Sequence, residues 1–100
     1  MGIPIAPPNV PEVLEVVILS PTQVNVFFID RSNPENPATG FTITNITTQT
    51  TTIASGNSGL VDYDFEPNTS YTFNVVAFND FGSSNPSSNS PFIVPNPIYS

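Results

Sequence analysis

The acidic side chains near the middle of the chain are the ones whose spacing could support chemistry. Asp62, Asp64 and Glu66 stand at every second position. Two carboxylates in one site can serve as the acid and base of a hydrolase, and three could supply oxygen ligands for Ca²⁺. Both kinds of site need side chains that converge away from bulk water. Because Asp62 and Asp64 alternate with apolar residues along a short predicted strand, we expect both to point into solvent. The favoured interpretation of the three carboxylates is a solvated face, so the sequence predicts no metal site here.

Two residue types that carry much of catalytic and metal chemistry are missing, since the chain has no His and no Cys. Their absence closes Ser–His and Cys–His nucleophilic catalysis, disulfide bonds and thiolate metal sites. Arg31 is the single cation of the sequence, and no glycine-rich loop accompanies it to hold a phosphate group. The sequence therefore predicts a protein that is not an enzyme and uses no cofactor.

The charge balance restricts the partners. Eight carboxylates and one cation give a formal net charge of −7. Proteins bind nucleic acids through cations that displace phosphate counterions, and anionic lipid surfaces repel acidic chains. No apolar run approaches the roughly 18 residues of a membrane span, and the N-terminal residues lack the basic and apolar regions of a secretory signal. We therefore expect no nucleic-acid partner and no membrane insertion.

Short alternating segments bounded by turn-forming residues dominate the chain. Twelve prolines and many β-branched residues leave no long window of helical periodicity. Short strands separated by turns about every ten residues are typical of an antiparallel β-sandwich. The sequence predicts a domain over 11–94 between a proline-rich extended lead-in (1–10) and an extended tail (95–100), with seven strands over 13–19, 23–29, 41–47, 48–54, 60–65, 70–79 and 88–94.

The segment from Phe65 to Gly82 carries a family resemblance. An apolar residue, then Pro67, then Tyr71 opening an alternating strand is the arrangement of a tyrosine corner, in which the phenol hydroxyl bonds an upstream backbone group. The run YTFNVVAFNDFGSSNPS, beginning at Tyr71, closely resembles the sixth strand and following loop of fibronectin type III domains. The resemblance implies an all-β, seven-stranded antiparallel β-sandwich of fibronectin type III type, with Tyr71 in a structural role.

The resemblance extends over about residues 8–94. Pro8 and Pro11 resemble the opening prolines of the family, and Leu14 and Val16 resemble its first pair of inward side chains. Two positions depart from the family pattern. The Trp of the second strand is here Phe28, and the Tyr that opens the third strand is Phe41. Both changes keep an apolar ring, so they leave the expected core intact.

Apolar residues also stand at positions that the alternation points away from the core. If Val24, Val26 and Phe28 face inward, the residues between them face outward, and the first and sixth strands repeat this pattern. Contiguous exposed apolar patches mark interfaces, whereas scattered ones are ordinary. Two interpretations stay open: another protein covers an outer face, or the proline-rich termini fold back over these rings. The candidate interface comprises Val17, Leu19, Phe27, Ile29, Ile46, Val76, Phe78 and Phe81. Within it, we expect Val76 and Phe78 to lie close to Ile46 and Phe81.

Two sequons, beginning at Asn45 and Asn68, permit N-glycosylation in the secretory pathway. Asn68 stands at a predicted exposed corner and is the better acceptor. Asn45 has the parity of Phe41 and Ile43, which points it toward the core. Accidental sequons are expected in a chain this rich in Asn, Ser and Thr, and chance is the favoured explanation.

The leading interpretation is a structural or interaction module whose partners are other protein subunits or neighbouring domains. Two settings stay open: a repeat of an extracellular or cell-surface protein, and a small subunit on a virion surface or decorating a capsid. Extended tail residues such as Ile98 and Tyr99 would suit strand addition to neighbouring subunits. The alternative is an accessory spacer or weak glycan-binding module of a microbial carbohydrate-active enzyme. A glycan partner is disfavoured, because such platforms use exposed Trp or Tyr and the chain has no Trp.

Overall fold

The computed structural model describes residues 5–97, and this part of the chain contains strands and no helix. The ends of the predicted lead-in and tail, including Ile98 and Tyr99, lie outside the described residues. The strands are β1 (Glu12–Ser20), β2 (Gln23–Ile29), β3 (Gly40–Asn45), β4 (Thr50–Ala54), β5 (Ser58–Asp62) and β6 (Phe73–Phe78).

The strands form two sheets. Sheet A has the order β1-β2-β5, and sheet B has the order β4-β3-β6. All neighbouring strands run antiparallel. In β2 and β6, buried and half-buried residues alternate strictly, because successive side chains of a strand point to opposite faces. The predicted antiparallel sandwich is confirmed, with six regular strands where the sequence predicts seven.

The core lies between the inner faces of the two sheets. Phe28 of sheet A meets Phe41 of sheet B across it, with ring centroids 4.7 Å apart and the rings tilted at 52°. These are the two positions at which the sequence departs from the fibronectin type III pattern, and here two phenyl rings fill the space between the sheets. The buried apolar side chains are those of Val24, Val26, Phe28, Phe41, Ile43, Ala54, Val61, Phe65, Tyr71, Phe73, Val75 and Ala77.

The first strand departs from simple alternation. A register irregularity separates the pairs Val13–Phe28 and Glu15–Phe27, so Leu14 is an extra residue without a partner on β2. Such a bulge shifts the alternation by one position. The inward pair is therefore Val13 and Val16, which pack against the core, while Leu14 is 54% exposed. The expectation that Leu14 faces inward is wrong for this reason.

The segment predicted as the seventh strand forms a different structure, which we call the serine ladder (residues 84–93). Ser84, Ser87 and Ser90 each donate the backbone N–H to a carbonyl of β6, over 2.7–2.9 Å. Each serine Oγ accepts the N–H of that same β6 residue, at 2.9–3.0 Å. Every third residue of the ladder therefore faces every second residue of β6, whereas regular strands pair one to one. The β6 residues concerned are Ala77, Val75 and Phe73.

The described ends of the chain are bound to loops of the sandwich. Asn36 Oδ1 accepts the backbone N–H groups of Ile5 and Ala6. Asn79 Nδ2 donates to the carbonyl of Ala6 at 3.0 Å, and Asn79 Oδ1 accepts two N–H groups of the loop that follows β6. At the other end of the chain, Asn96 Nδ2 donates to the carbonyl of Phe65 at 2.9 Å. Residues of both predicted extensions thus contribute to the folded body.

Candidate interaction surface

A cluster of aromatic rings fixes the crossing between the sheets. The Tyr71 hydroxyl accepts the backbone N–H of Glu66 at 2.8 Å, which is the tyrosine-corner contact that the sequence predicts. Tyr71 is buried, and its ring packs against those of Phe65 and Tyr63 at centroid distances of 5.0 and 6.2 Å. The corner therefore belongs to the scaffold, and the buried rings of Tyr71 and Phe65 are not available to a partner.

The outer face of sheet A gathers three of the predicted interface residues. Pairing across the strands gives one row of Glu15, Phe27 and Ser58, and a neighbouring row of Val17, Asn25 and Leu60. Phe27 and Val17 are half-buried, and Leu60 is 44% exposed. Ile29, also half-buried, continues the face toward Glu12. We call Val17, Phe27, Ile29 and Leu60 the apolar patch of sheet A.

Carboxylates surround this patch. Glu12 and Glu15 stand on β1, and Asp62 ends β5, all with exposed side chains. Arg31 forms an exposed ion pair with Glu12, and Gln23 donates to Asp62 Oδ1 at 2.8 Å. Glu15 lies beside Phe27 without a cation, because Arg31 is the only one in the chain. The outer face of sheet A is therefore apolar at its centre and acidic around it.

The sequence did not predict Leu60 as an interface residue, whereas it did predict Leu19. Leu60 joins the patch because β5 pairs with β2, and this contact between distant segments has no local sequence signal. The alternation of Leu60 with the buried Val61 was the available cue. Leu19, a predicted interface residue, is 53% exposed at a second irregularity of β1, where it has no partner on β2. It lies on β1 two residues beyond Val17 of the patch.

Three of the remaining predicted interface residues lie on sheet B or at its end. Val76 is half-buried on the outer face of sheet B, opposite Thr42. Phe78 lies directly over Gly40, where an added Cβ would come within 2.4 Å of its ring. Ile46 follows the far end of β3, beside Thr72, and is thereby separated from Phe78 by the length of the strand. The sequence expectation that Ile46 lies close to the other apolar residues of this face is wrong.

Phe81 is exposed at the loop after β6. Its side chain is 60% exposed, and its backbone N–H is held by Asn79 Oδ1 at 2.9 Å. The loop is therefore ordered by Asn79 while the ring points away from the core. Sequence reasoning placed Asn79 at a strand end and gave it no role, although its side chain also joins the lead-in to the body.

The acidic residues considered for catalysis or Ca²⁺ remain dispersed in solvent. Asp62, Asp64 and Glu66 are all exposed. Over residues 5–97, no group of three or more His, Cys, Asp or Glu side chains is close enough to hold a metal ion. The same residues contain no helix long and apolar enough to cross a membrane.

The two sequons occupy different environments. Asn45 is 1% exposed, and its Oδ1 accepts the N–H groups of Thr47 and Thr48. A glycan on this side chain requires that the segment open. Asn68 is exposed at the corner, with a φ of 56° that Asn tolerates better than most residues. Glycosylation of either residue stays a prediction, with Asn68 the accessible acceptor.

Comparisons with known proteins bear on the fold. No protein-family model and no curated protein matches the chain. Among solved structures, the titin kinase with its flanking domains shares 27% identity over 87% of this chain and 17% of that chain, with a TM-score of 0.72. The FN1–FN3 domains of chicken CNTN1 (contactin) share 24% identity over 90% and 33%, with a TM-score of 0.71. A structure named FN3tt shares 19% identity over 91% and 99%, with a TM-score of 0.70.

These coverages differ in a consistent way. The chain spans about a sixth of the matched titin structure and a third of the contactin structure, but nearly all of FN3tt. The aligned unit is therefore one domain, which occurs within longer chains in the first two proteins.

Proposed function

Because the chain is a fibronectin type III domain, we propose that it works as a non-catalytic module that binds another protein through the outer face of sheet A. The observation that carries this proposal is the apolar patch of sheet A, which brings Val17, Phe27 and Leu60 into two adjacent rows. The partner is a neighbouring domain or subunit within a larger assembly. Fold alone does not imply this function, so the proposal rests on the surface.

The composition of the patch suits a modest protein interface. Aromatic anchors at the centre of a contact contribute more binding energy than the residues around them. Phe27 occupies that position, between β1 and β5. Covering a half-exposed apolar side chain contributes about 1 kcal/mol, so the four side chains of the patch supply about 4 kcal/mol. That amount corresponds to a dissociation constant of about 1 mM, so tighter binding requires further contacts around the patch.

The acidic surroundings define the partner further. Glu15 and Asp62 flank the patch, and the whole chain carries a net charge of −7. Complementary potentials accelerate association and exclude partners of like charge. The surface that fits this face is therefore apolar at its centre with Lys or Arg around it, and binding weakens as salt screens these charges.

The proposed setting is an assembly exposed outside a cell, either a cell-surface repeat or a virion-surface subunit. The two settings differ in particle mass. Sedimentation of material from the native source distinguishes them, since a capsid-decorating subunit travels with a large ordered particle and a cell-surface repeat travels with a membrane-bound or secreted chain.

The carbohydrate-binding alternative gains no support from the surface. Tyr71 is buried and Tyr63 is half-buried, and both belong to the same aromatic cluster. Within residues 5–97 the exposed aromatic rings are those of Phe81 and Phe92, which cannot donate hydrogen bonds to sugar hydroxyls. Isothermal titration calorimetry against polysaccharides tests this alternative, and saturable heat would revive it.

A photo-crosslinking residue in place of Phe27 tests the proposed function in the full chain and its native source. The matched control places the same residue at Thr44, a half-buried position on the outer face of sheet B. We expect position 27 to give a protein adduct that position 44 does not. The identified partner is then purified and its affinity measured with Phe27→Ser, for which we expect a loss of about tenfold or more. Equal adducts from both positions, or unchanged affinity with Phe27→Ser, would contradict the proposal.

A further inference from the structure

The edges of the two sheets differ in how they are protected against added strands. A free edge presents unpaired N–H and C=O groups, and proteins usually block it with charge, proline or bulges. In sheet A, β1 follows Pro11, contains two register irregularities and carries Glu12 and Glu15. The other edge, β5, ends in Asp62 and is followed by Asp64. Both edges of sheet A are therefore blocked.

One edge of sheet B is also blocked, by the serine ladder. Ser84, Ser87 and Ser90 direct their N–H and Oγ groups toward β6. Pro86 and Pro91 lie between or beside them and have no N–H to offer a further strand. A strand that approaches this edge therefore finds backbone hydrogen-bonding groups that are irregularly spaced and that lack the N–H donors of the two prolines.

The remaining edge, β4, lacks all of these devices. Thr50–Ala54 contains no charge and no proline, and it pairs with β3 in continuous register. No backbone–backbone hydrogen bond joins β4 to another described segment apart from β3. Its Ile53 is 68% exposed, more than the other large apolar side chains on strands within residues 5–97. This edge is therefore open to strand addition, and it carries an apolar side chain that nothing described covers.

We propose that β4 pairs with β4 of a second copy of this chain, antiparallel about a two-fold axis at Thr52. In this register, Thr51 of each copy lies opposite Ile53 of the other. Both side chains lie on the outer face of sheet B, because Thr51 pairs with Thr44 and Ile53 with Thr42, on the face opposite the buried Phe41 and Ile43. Thr and Ile are β-branched residues that suit cross-strand contact. The pairing joins the B sheets of the two copies into one continuous sheet, and it covers the Ile53 side chain of each copy.

The distribution of charge favours a second copy as the occupant. Two chains of charge −7 repel each other, and that repulsion is strongest where carboxylates meet. All eight carboxylates and Arg31 lie outside β3, β4, β6 and the serine ladder. Approach through β4 therefore brings uncharged surfaces together and leaves the acidic face of sheet A pointing elsewhere. An antiparallel edge is also self-complementary under a two-fold axis.

The expected association is weak, because five residues of edge bury much less surface than a stable interface requires. A larger fraction of the chains pairs where copies are held at high local concentration, as in an ordered assembly or a tandem array. The inference goes beyond the proposed function, since it concerns sheet B and a second copy while the proposed function concerns sheet A and another protein. Either can hold when the other fails.

Sedimentation equilibrium of the full chain between about 10 µM and about 1 mM tests the pairing. We expect a reversible monomer–dimer equilibrium for the natural chain. Ile53→Glu should raise the dissociation constant of the dimer about tenfold. Because of the two-fold axis, each dimer loses two equivalent contacts between Ile53 and Thr51. The matched control is Leu14→Glu on β1 of sheet A, which makes the same change in charge at a side chain of 54% exposure outside the apolar patch and should shift the constant less than about twofold. Thermal unfolding checks that both variants are folded.

A monomer at all concentrations would overturn the proposal, and so would a dimer that Leu14→Glu disrupts while Ile53→Glu does not. Register is tested by disulfide formation, since the natural chain has no Cys. A mixture of Thr51→Cys and Ile53→Cys chains should form more disulfide-linked dimer than either variant forms alone. In the proposed register the identical positions are diagonal, about 7–8 Å apart, which is too far for an unstrained bond. Equal yields from the single variants and the mixture would exclude this register.

Discussion

The outer faces of the two sheets carry similar apolar residues in opposite surroundings. On sheet A, Phe27 lies between Glu15 and Ser58 with its ring half-buried, and carboxylates stand around it. On sheet B, Phe78 lies over Gly40, and β3, β4 and β6 carry no charge. An outward aromatic residue can therefore be a contact left for a partner or a contact already made within the chain. The residue that lies beneath the ring decides whether the ring is already packed within the chain or is left for a partner.

The largest expected effect separates the two faces of a single strand. Phe28→Ala should lower the free energy of unfolding by about 3–5 kcal/mol, because it leaves a cavity against Phe41 in the core. Phe27→Ala, one residue earlier on the outer face, should cost less than about 1.5 kcal/mol. Urea denaturation followed by circular dichroism measures both. Similar losses from the two variants would mean that Phe27 is covered within the chain and is not free for a partner.

The serine ladder provides the next test, at the blocked edge of sheet B. Ser87→Ala removes the Oγ that accepts the N–H of the buried Val75 at 2.9 Å. Leaving that N–H unsatisfied should cost about 1–3 kcal/mol. Ser88→Ala is the matched control, since Ser88 is exposed and we expect a change within about 0.5 kcal/mol. If both variants unfold at the same urea concentration, the side-chain bonds of the ladder do not contribute to stability.

A smaller effect is expected at the internal contact of sheet B. In Gly40→Ala, the new Cβ would lie 2.4 Å from Phe78 Cζ, so the ring must move outward. Overpacking costs about 1–3 kcal/mol, and the reduced freedom of the unfolded chain returns about 0.4–1 kcal/mol. We therefore expect a net loss of about 1 kcal/mol and greater exposure of the ring.

Gly82→Ala is the control for this change, because its Cβ would meet Pro7 Cγ at an ordinary 3.7 Å. It should leave stability unchanged or slightly raised. Thermal denaturation of both variants measures the difference, and binding of a hydrophobic dye to native protein reports the displaced Phe78. A Gly40→Ala variant as stable as Gly82→Ala would show that Phe78 does not depend on the space above Gly40.

The smallest effect concerns the acidic frame of sheet A. Arg31→Ala removes the exposed ion pair with Glu12, and such pairs contribute about 0–1 kcal/mol. We expect a loss below about 0.5 kcal/mol, which shrinks further in high salt. Urea denaturation at low and high salt measures it. A loss that persists in high salt would assign Arg31 a packing role in place of a charge role.

Several features followed from local sequence because their causes are local. The strict alternation around Phe28 and around Val75 fixes which side chains face inward, since the period of a strand is two residues. The tyrosine corner was also readable, because the Glu66 N–H and the Tyr71 hydroxyl lie five residues apart and need only a turn between them. In each case the interacting groups are near neighbours in the chain.

The sequence did not predict two other features. One depends on a distant segment of the chain, and the other repeats with a period that differs from that of a strand. The bulge that turns Leu14 outward depends on the pairing of β1 with β2. The serine ladder has a period of three, visible in the spacing of Ser84, Ser87 and Ser90, but the search for alternation tests a period of two. A period-three pattern of Ser beside an alternating strand is therefore a signal worth testing in similar sequences.

The sequence by itself determined the class of protein. The alternating apolar residues bounded by turns indicated the β-sandwich, and the absence of His and Cys removed Ser–His and Cys–His pairs and disulfide bonds from consideration. The sign of the charge also supports the proposal of a partner surface that carries Lys or Arg. These conclusions depend on which residues are present and on their local order.

Only the tertiary structure decided which outward residues remain exposed. The pairing of β2 with β1 and β5 brings Leu60 to Phe27 and Val17, and the pairing of β3 with β6 seats Phe78 on Gly40. The same pairings leave β4 as the open edge. Alternation states which side of a strand a residue occupies, but its neighbours on that side come from distant segments, and burial is a property of those neighbours.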